Sequence, residues 1–239
     1  DLIVHAWTEP QPFGWQGRYY QQRTVSIWPR PVQAPHPAIY ISGSSPESGE
    51  LAARRKLHLG FAFTTVPLAR DAVRYYREKA HQAGWEPTPD HVLYRVAVHV
   101  AETTEQAMED LLSAGAGQRR PGYAMSNRAL DDAAAQAGYY GRDAHTQQDR
   151  LQTREFEERI ELGQLIAGSP DDVLQRIRWI QDELGAGILD VIFSPVGRDK
   201  TLKSLDLFGT QVLPRMHDLE EVPAASLGRT LKNQRMTPR

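Results

Sequence analysis

The chain has 239 residues, 40% hydrophobic and 24% charged, the balance of an ordinary globular protein that can bury a core. Its 28 Lys and Arg against 30 Asp and Glu leave a formal charge of −2, which disfavours nucleic acid or anionic lipid as partners. No apolar run reaches the roughly 18 to 20 residues of a membrane span, so the cytoplasm is the default location, and the absence of cysteine excludes disulfides, thiolate catalysis and sulfur-ligated metals.

Residues 1–37 hold six of the 16 prolines (Pro10, Pro12, Pro29, Pro31, Pro35, Pro37) and three of the five tryptophans. Such spacing of proline prevents a continued helix and predicts an extended, irregular lead-in. Within it, Gly14 and Gly17 flank a turn, and Arg18-Tyr-Tyr followed by Thr24–Trp28 reads as an aromatic hairpin, packed as a lid.

From residue 38 short apolar runs alternate with helical segments, the pattern of a parallel sheet with crossover helices. Ala38–Ser42 is the first expected strand, followed by a helix with Ser45 as N-cap, Pro46 at its first position and Glu47 in its first turn. Leu57–Phe63 is the second strand, and a helix opening at Pro67 closes at Gly84. Val92–Val100 is the third and longest, followed by a helix from about Thr103.

Residues 114–160 mix glycines with Arg, Gln and Asp; so long an excursion reads as an active-site flap. Ser169 and Pro170 then open a helix with apolar positions at Val173, Leu174, Ile177, Ile180 and Leu184, ended by Gly185. Ile188–Phe193 is the fourth strand, Leu202–Met216 the last helix, and residues 220–239 a polar, basic, flexible tail.

The length suits a complete eight-stranded α/β barrel of about 250 residues, yet only four β-α units are visible. Four strands cannot close without leaving two raw edges. An open doubly wound sheet is the alternative on pattern alone, without its glycine-rich nucleotide turn after the first strand.

Phe13-Gly-Trp-Gln-Gly-Arg-Tyr-Tyr20 and the run from Trp28-Pro-Arg-Pro to Ser-Gly-Ser-Ser-Pro-Glu-Ser48 resemble the bacterial luciferase-like flavin monooxygenases. Val98–Ala107, Ile166–Val173 and Leu205–Pro214 extend the resemblance, in family order, to about residue 219. It implies a TIM (β/α)8 barrel of which residues 38–219 are the carboxyl-terminal half, with the first four units missing. The catalytic histidine region of the family lies in that missing part, so no catalytic residue is carried over.

The same resemblance implies an enzyme that uses reduced FMN and oxygen on a small organic substrate. A separate reductase would supply the reduced flavin, and a homodimer or a barrel-completing chain is expected. It assigns the FMN phosphate to Ser44, Ser45 and Ser48, where helix N–H groups and hydroxyls meet; Ser45 also suffices as a plain cap, and the two roles are compatible. Ala62 and Phe63 fall where the family lines its isoalloxazine pocket, although a large apolar strand residue equally suits the core. His99 at the third strand's end and Arg119 and Arg120 in the flap are candidates for substrate contact; a lone strand histidine is more often structural. No metal is expected. Two other readings stay open: a deazaflavin-dependent hydride-transfer enzyme of the same fold, and a non-catalytic half-barrel subunit.

Overall fold

The structure is a computed structural model that describes residues 1–62, 64–115 and 156–216. The flap beyond Gly115 up to residue 155, Phe63, and the tail all fall outside the described residues. The chain divides into two compact units, Asp1–Ile39 and Tyr40–Arg239.

The first unit departs from the expected irregular lead-in by opening with a helix, α1 (Leu2–Thr8). No proline precedes Pro10, so these seven residues are free to coil, and the helix stops short of it. The Arg30 guanidinium donates to the carbonyls of Ala6 (3.3 Å) and Glu9, satisfying helix-end acceptors that would otherwise be orphaned. The hairpin is present with shifted limits: β1 (Phe13–Gln16) pairs antiparallel with β2 (Gln21–Val25). Arg18, Tyr19 and Tyr20 lie in or beside the turn, closed by the Gly17 N–H on the Tyr20 carbonyl (2.9 Å). Glycine is required there, because a Cβ at residue 17 would stand 2.5 Å from the Trp15 indole nitrogen. Tyr19, Tyr20 and Trp28 are exposed.

The second unit is an α/β fold on a parallel sheet of five strands: β3 (Tyr40–Ser42), β4 (His58–Phe61), β5 (Val92–Val100), β6 (Leu165–Gly168) and β7 (Ile188–Phe193). The sequence pattern predicts four; the additional strand, β6, has only four residues and owes its extended form to pairing with Ala97–Val100. Two expected strands are also trimmed, β3 beginning at Tyr40 and β4 ending at Phe61.

The long β5 organises the sheet. Its residues Leu93–Val98 pair with β7, while β4 takes Val92–Tyr94 and β6 takes Ala97–Val100 on the opposite edge. Among the described residues β3, β6 and β7 each have a single neighbour.

The helices are set by local chemistry. In α2 (Pro46–Arg55) Ser45 caps the Ser48 N–H, and in α4 (Thr104–Ser113) Thr103 caps that of Gln106. Ser169 does the same for Asp172 in α6 (Pro170–Leu184), which Gly185 ends at φ 57°. Helix α3 (Val66–Gln82) lacks a side-chain cap hydrogen bond, and the short α5 (Phe156–Glu161) leads toward β6. The last helix begins at Arg198, four residues before the expected start, as α7 (Arg198–Leu207), then passes through a π-helical stretch (Phe208–Val212) to Leu213–Met216.

Alternation along β5 sorts the sheet into two faces. Val92, Tyr94, Val96, Val98 and Val100 join Leu59, Phe61 and the buried stripes of α2, α3 and α6 in the main core. On the other face Ala97 packs with Leu111, Leu165 and Val196 in a smaller cluster beside α4. Tyr94 ties two loops to the main core, its hydroxyl donating to the carbonyls of Thr64 (2.9 Å) and Gly163 (3.2 Å).

Candidate functional site

The carboxyl ends of parallel strands are where free backbone groups and helix N-termini converge, and there an α/β fold builds its sites. At the end of β3, Gly43 takes φ 152° and donates its N–H to the Gly60 carbonyl (3.2 Å). This turns the chain into α2. Ser44 and Ser45 are half-buried there, and Ser48 stands one turn on, its Oγ 3.2 Å from Ser45 Oγ. A Cβ on residue 43 would lie 2.6 Å from Ser48 Oγ, so the bare glycine keeps the space beside that hydroxyl open. The Glu47 carboxyl is held below its ordinary range by its own backbone N–H and by Ser45.

A second strand-to-helix turn of the same chain makes a useful control. Gly168-Ser169-Pro170 repeats the glycine, serine cap and proline of Gly43-Ser44-Ser45-Pro46, but the third helical position is Asp172 where α2 has Ser48. The Asp172 carboxylate accepts from Ser169 Oγ (2.7 Å) and from Thr104 Oγ1, and these bonds hold it well below the usual carboxylate range. Helix α6 thus closes its positive end with its own anion, whereas α2 presents two hydroxyls with no carboxylate at that position.

Ala62 follows β4 directly and is half-buried on the turn toward Thr64. Phe63, Arg119 and Arg120 lie outside the described residues. His99 is 1% exposed, and its Nε2 lies 3.2 Å from Asp110 Oδ2 on α4. Its Nδ1 is buried without a partner. Asp110 also accepts from Lys200 Nζ (2.6 Å) and Gln106 Nε2 (2.9 Å). Burial alone would push the Asp110 carboxyl up, but these three donors together hold it below its ordinary value. Above the node is a cleft of about 190 Å³ lined by Val100, Ala101, Glu102, Gln106, Asp110, Lys200 and Lys203.

The hydrogen bonds therefore form two groups, Ser45 with Ser48 and His99 with Asp110. Sequence reading missed Asp110, Lys200 and Gln106. One signal was available: Asp110 stands between Ala107 and Leu111 on the buried stripe of α4, where an acid needs partners. Arg95 faces the side of the sheet opposite the main core and finds Asp190 across on β7 (Nη2 to Oδ2, 2.5 Å). Ser194, after β7, serves the turn, its N–H on the Val98 carbonyl (2.9 Å). Among the described residues no group of three His, Asp or Glu side chains could hold a metal ion, and no helix is long and apolar enough to cross a membrane.

Similar architectures occur among solved structures. Monooxygenase RslO1 from Streptomyces bottropensis superposes with a TM-score of 0.63 at 21% identity, over 90% of this chain and 58% of its own. The oxygenating constituent of 3,6-diketocamphane monooxygenase from Pseudomonas putida, solved with FMN, gives 0.61 at 21% identity, over 90% of this chain and 61% of its own. Coenzyme F420 dependent tetrahydromethanopterin reductase from Methanopyrus kandleri gives 0.55 at 22%, over 89% and 60%. At these identities the likeness establishes the fold, and the chain spans about three fifths of the length of each. No curated protein matches it. The family model described as luciferase-like monooxygenase matches residues 1–186, more than three quarters of the sequence, and the chain belongs to that family.

Proposed function

We propose that the chain is the carboxyl-terminal half of an eight-stranded barrel, and that the whole acts as an FMN-dependent monooxygenase on a small organic substrate. In this reading β3, β4, β5 and β7 with their helices are the last four units. Of the single-neighbour strands, β3 and β7 are the edges that the remaining strands complete, and the short β6 lies beside β5 on the same edge as β4. The coverage of about three fifths of each solved relative supports this.

The observation that carries the cofactor assignment is the pair of hydroxyls at the N-terminus of α2. Ser45 and Ser48 fit a phosphate: two hydroxyls 3.2 Å apart, a ten-residue helix behind them, and the space that Gly43 leaves. Ser44, Ser45 and Ser48 would hold the FMN phosphate. The exposed Glu47 carboxylate, drawn to the same donors, rotates to solvent as phosphate takes its place. In this reading Ala62 and Phe63 would line the ring pocket and Arg119 and Arg120 would contact substrate, while His99, buried against Asp110, would bear on substrate only through that carboxylate, which lines the cleft. Bound reduced FMN supplies the electrons that activate oxygen; the protein's part is to orient it and keep water out. A separate reductase delivers reduced FMN, a homodimer or a complementing chain completes the site, and the cytoplasm is its location.

Ser45→Ala tests the phosphate site: it should weaken FMN much more than riboflavin, and equal losses for both would reject the assignment. The F420-dependent relative supports a second reading, a deazaflavin enzyme that transfers hydride without oxygen. Exclusive deazaflavin binding in spectra of the purified protein would establish it over the first. The unpaired strand edges support a third, a non-catalytic subunit; a stable monomer with no flavin affinity in size-exclusion and titration experiments would favour it.

A further inference from the structure

At the opposite end of the sheet, where the strands begin, a second cluster forms around two histidines. His58, the first residue of β4, stacks on His91, the last residue of the Pro89–His91 turn, with ring centroids 4.5 Å apart and planes 10° from parallel. Tyr40 packs against His58 at 4.5 Å and Trp85 against His91 at 5.2 Å. His91 Nδ1 accepts the Thr88 backbone N–H (3.2 Å) and meets the Thr88 hydroxyl at 2.8 Å. His58 Nδ1 is buried without a partner.

The turn held in this way ties the strand starts together. The Pro89 carbonyl accepts the Gly187 N–H (2.8 Å) just ahead of β7, and the Tyr40 hydroxyl donates to the Asp90 carbonyl (3.4 Å) from β3. Val92 follows directly and pairs with Leu59. The approach is close enough that a Cβ on residue 187 would meet the Pro89 carbonyl carbon at 2.7 Å.

An imidazole nitrogen that accepts a backbone N–H must be unprotonated; adding a proton there sets donor against donor. The ring facing it is a second imidazole, so a positive charge on either makes a charge on the other more costly. The remaining neighbours are the neutral Tyr40 and Trp85, with Asp90 as the carboxylate beside the pair. Burial first, and His58 second, hold His91 below its ordinary range, with Asp90 pulling the other way.

We propose that the stacked His58 and His91 form a proton-operated pin, which holds the Pro89–His91 turn to the sheet while His91 is neutral and releases it when His91 takes up a proton. The opened turn binds the proton more readily than the closed one. The pin is therefore complete above the ordinary histidine value near 6.5 and is lost as pH falls through it.

The test is amide hydrogen exchange of the full chain between about pH 8 and about pH 5.5, corrected for the intrinsic rate. Opening at the Thr88 and Gly187 amides should rise about tenfold in the wild type. His91→Asn keeps an acceptor without a titrating ring and should remove that rise, whereas His58→Phe keeps a stacked ring but leaves His91 to titrate and should only reduce it. A flat wild-type profile, or variants that open as the wild type does, would overturn the proposal. If a variant does not fold, wild-type imidazole C–H resonances decide: His91 titrating at or above the ordinary value overturns it, and titration below that value supports it. No cofactor is needed, so the result is independent of the flavin reading.

Discussion

Ser48→Asp would give α2 the same self-closing carboxylate that α6 already has in Asp172. In α6 that group accepts from the Ser169 hydroxyl and satisfies a helix end; at position 48 it would do so through Ser45, whose Oγ already bonds the residue-48 N–H at 3.3 Å. A carboxylate in the first turn stabilises a helix by about 0.3–1 kcal/mol, so folding should be unchanged or slightly strengthened. Phosphate binding should suffer twice. A hydrogen bond to a charged group, worth about 1.5–3 kcal/mol, is lost with the hydroxyl. A negative charge then stands about 4 Å from the phosphate, a repulsion of about 4 kcal/mol per unit charge at an effective dielectric of about 20. Even half of this combined penalty weakens binding by about 100-fold. Flavin fluorescence titrations with FMN and riboflavin, alongside chemical denaturation, provide the measurement. FMN affinity should fall at least about 100-fold while riboflavin affinity changes by less than about threefold. A folded Ser48→Asp protein that binds FMN like the wild type would falsify the phosphate assignment.

Gly163→Ala should destabilise by about 2–4 kcal/mol in urea unfolding, because residue 163 sits at φ 80° and its Cβ would lie 2.5 Å from Val66 Cγ2 and 2.9 Å from the Trp179 ring. Tyr94→Phe removes the hydroxyl shared by Thr64 and Gly163 and should cost about 1–2 kcal/mol by the same assay; no change would mean that the hydroxyl has no net role in holding these loops. Asp110→Asn should cost about 1–3 kcal/mol near neutral pH, since it weakens the bonds to His99 and Lys200. Its folded carboxyl is held below the unfolded value near 3.8. Its stabilisation is therefore complete above that value and lost as pH falls through the folded value, so the variant should show a shallower acid limb. An unchanged limb would argue against the charged node.

Features encoded within a few residues were legible before any tertiary contact was considered. Ser45-Pro46 and Ser169-Pro170 open helices, Gly185 closes one, and β5 spans Val92–Val100, because caps, fixed proline φ and alternation act locally. The helix α1 was hidden by the proline content of the window around it, although its own seven residues contain none. The short β6 was hidden for the opposite reason: four residues carry little periodicity, and its strand form comes from Ala97–Val100 across the sheet.

For the candidate site the division is similar. The serines at α2 and the position of His99 at a strand end could be named from the sequence, since both depend on place along the chain. That His99 lies under α4 against Asp110, with Lys200 from a helix 90 residues further on, could not. Nor could the His58–His91 stack. Sequence by itself determined the family, the helix ends and the long central strand, because these are written in short-range chemistry. Which polar side chains meet was decided by the tertiary structure alone, because a buried carboxylate or imidazole takes its partners from whichever elements the sheet and its crossovers bring within about 3 Å.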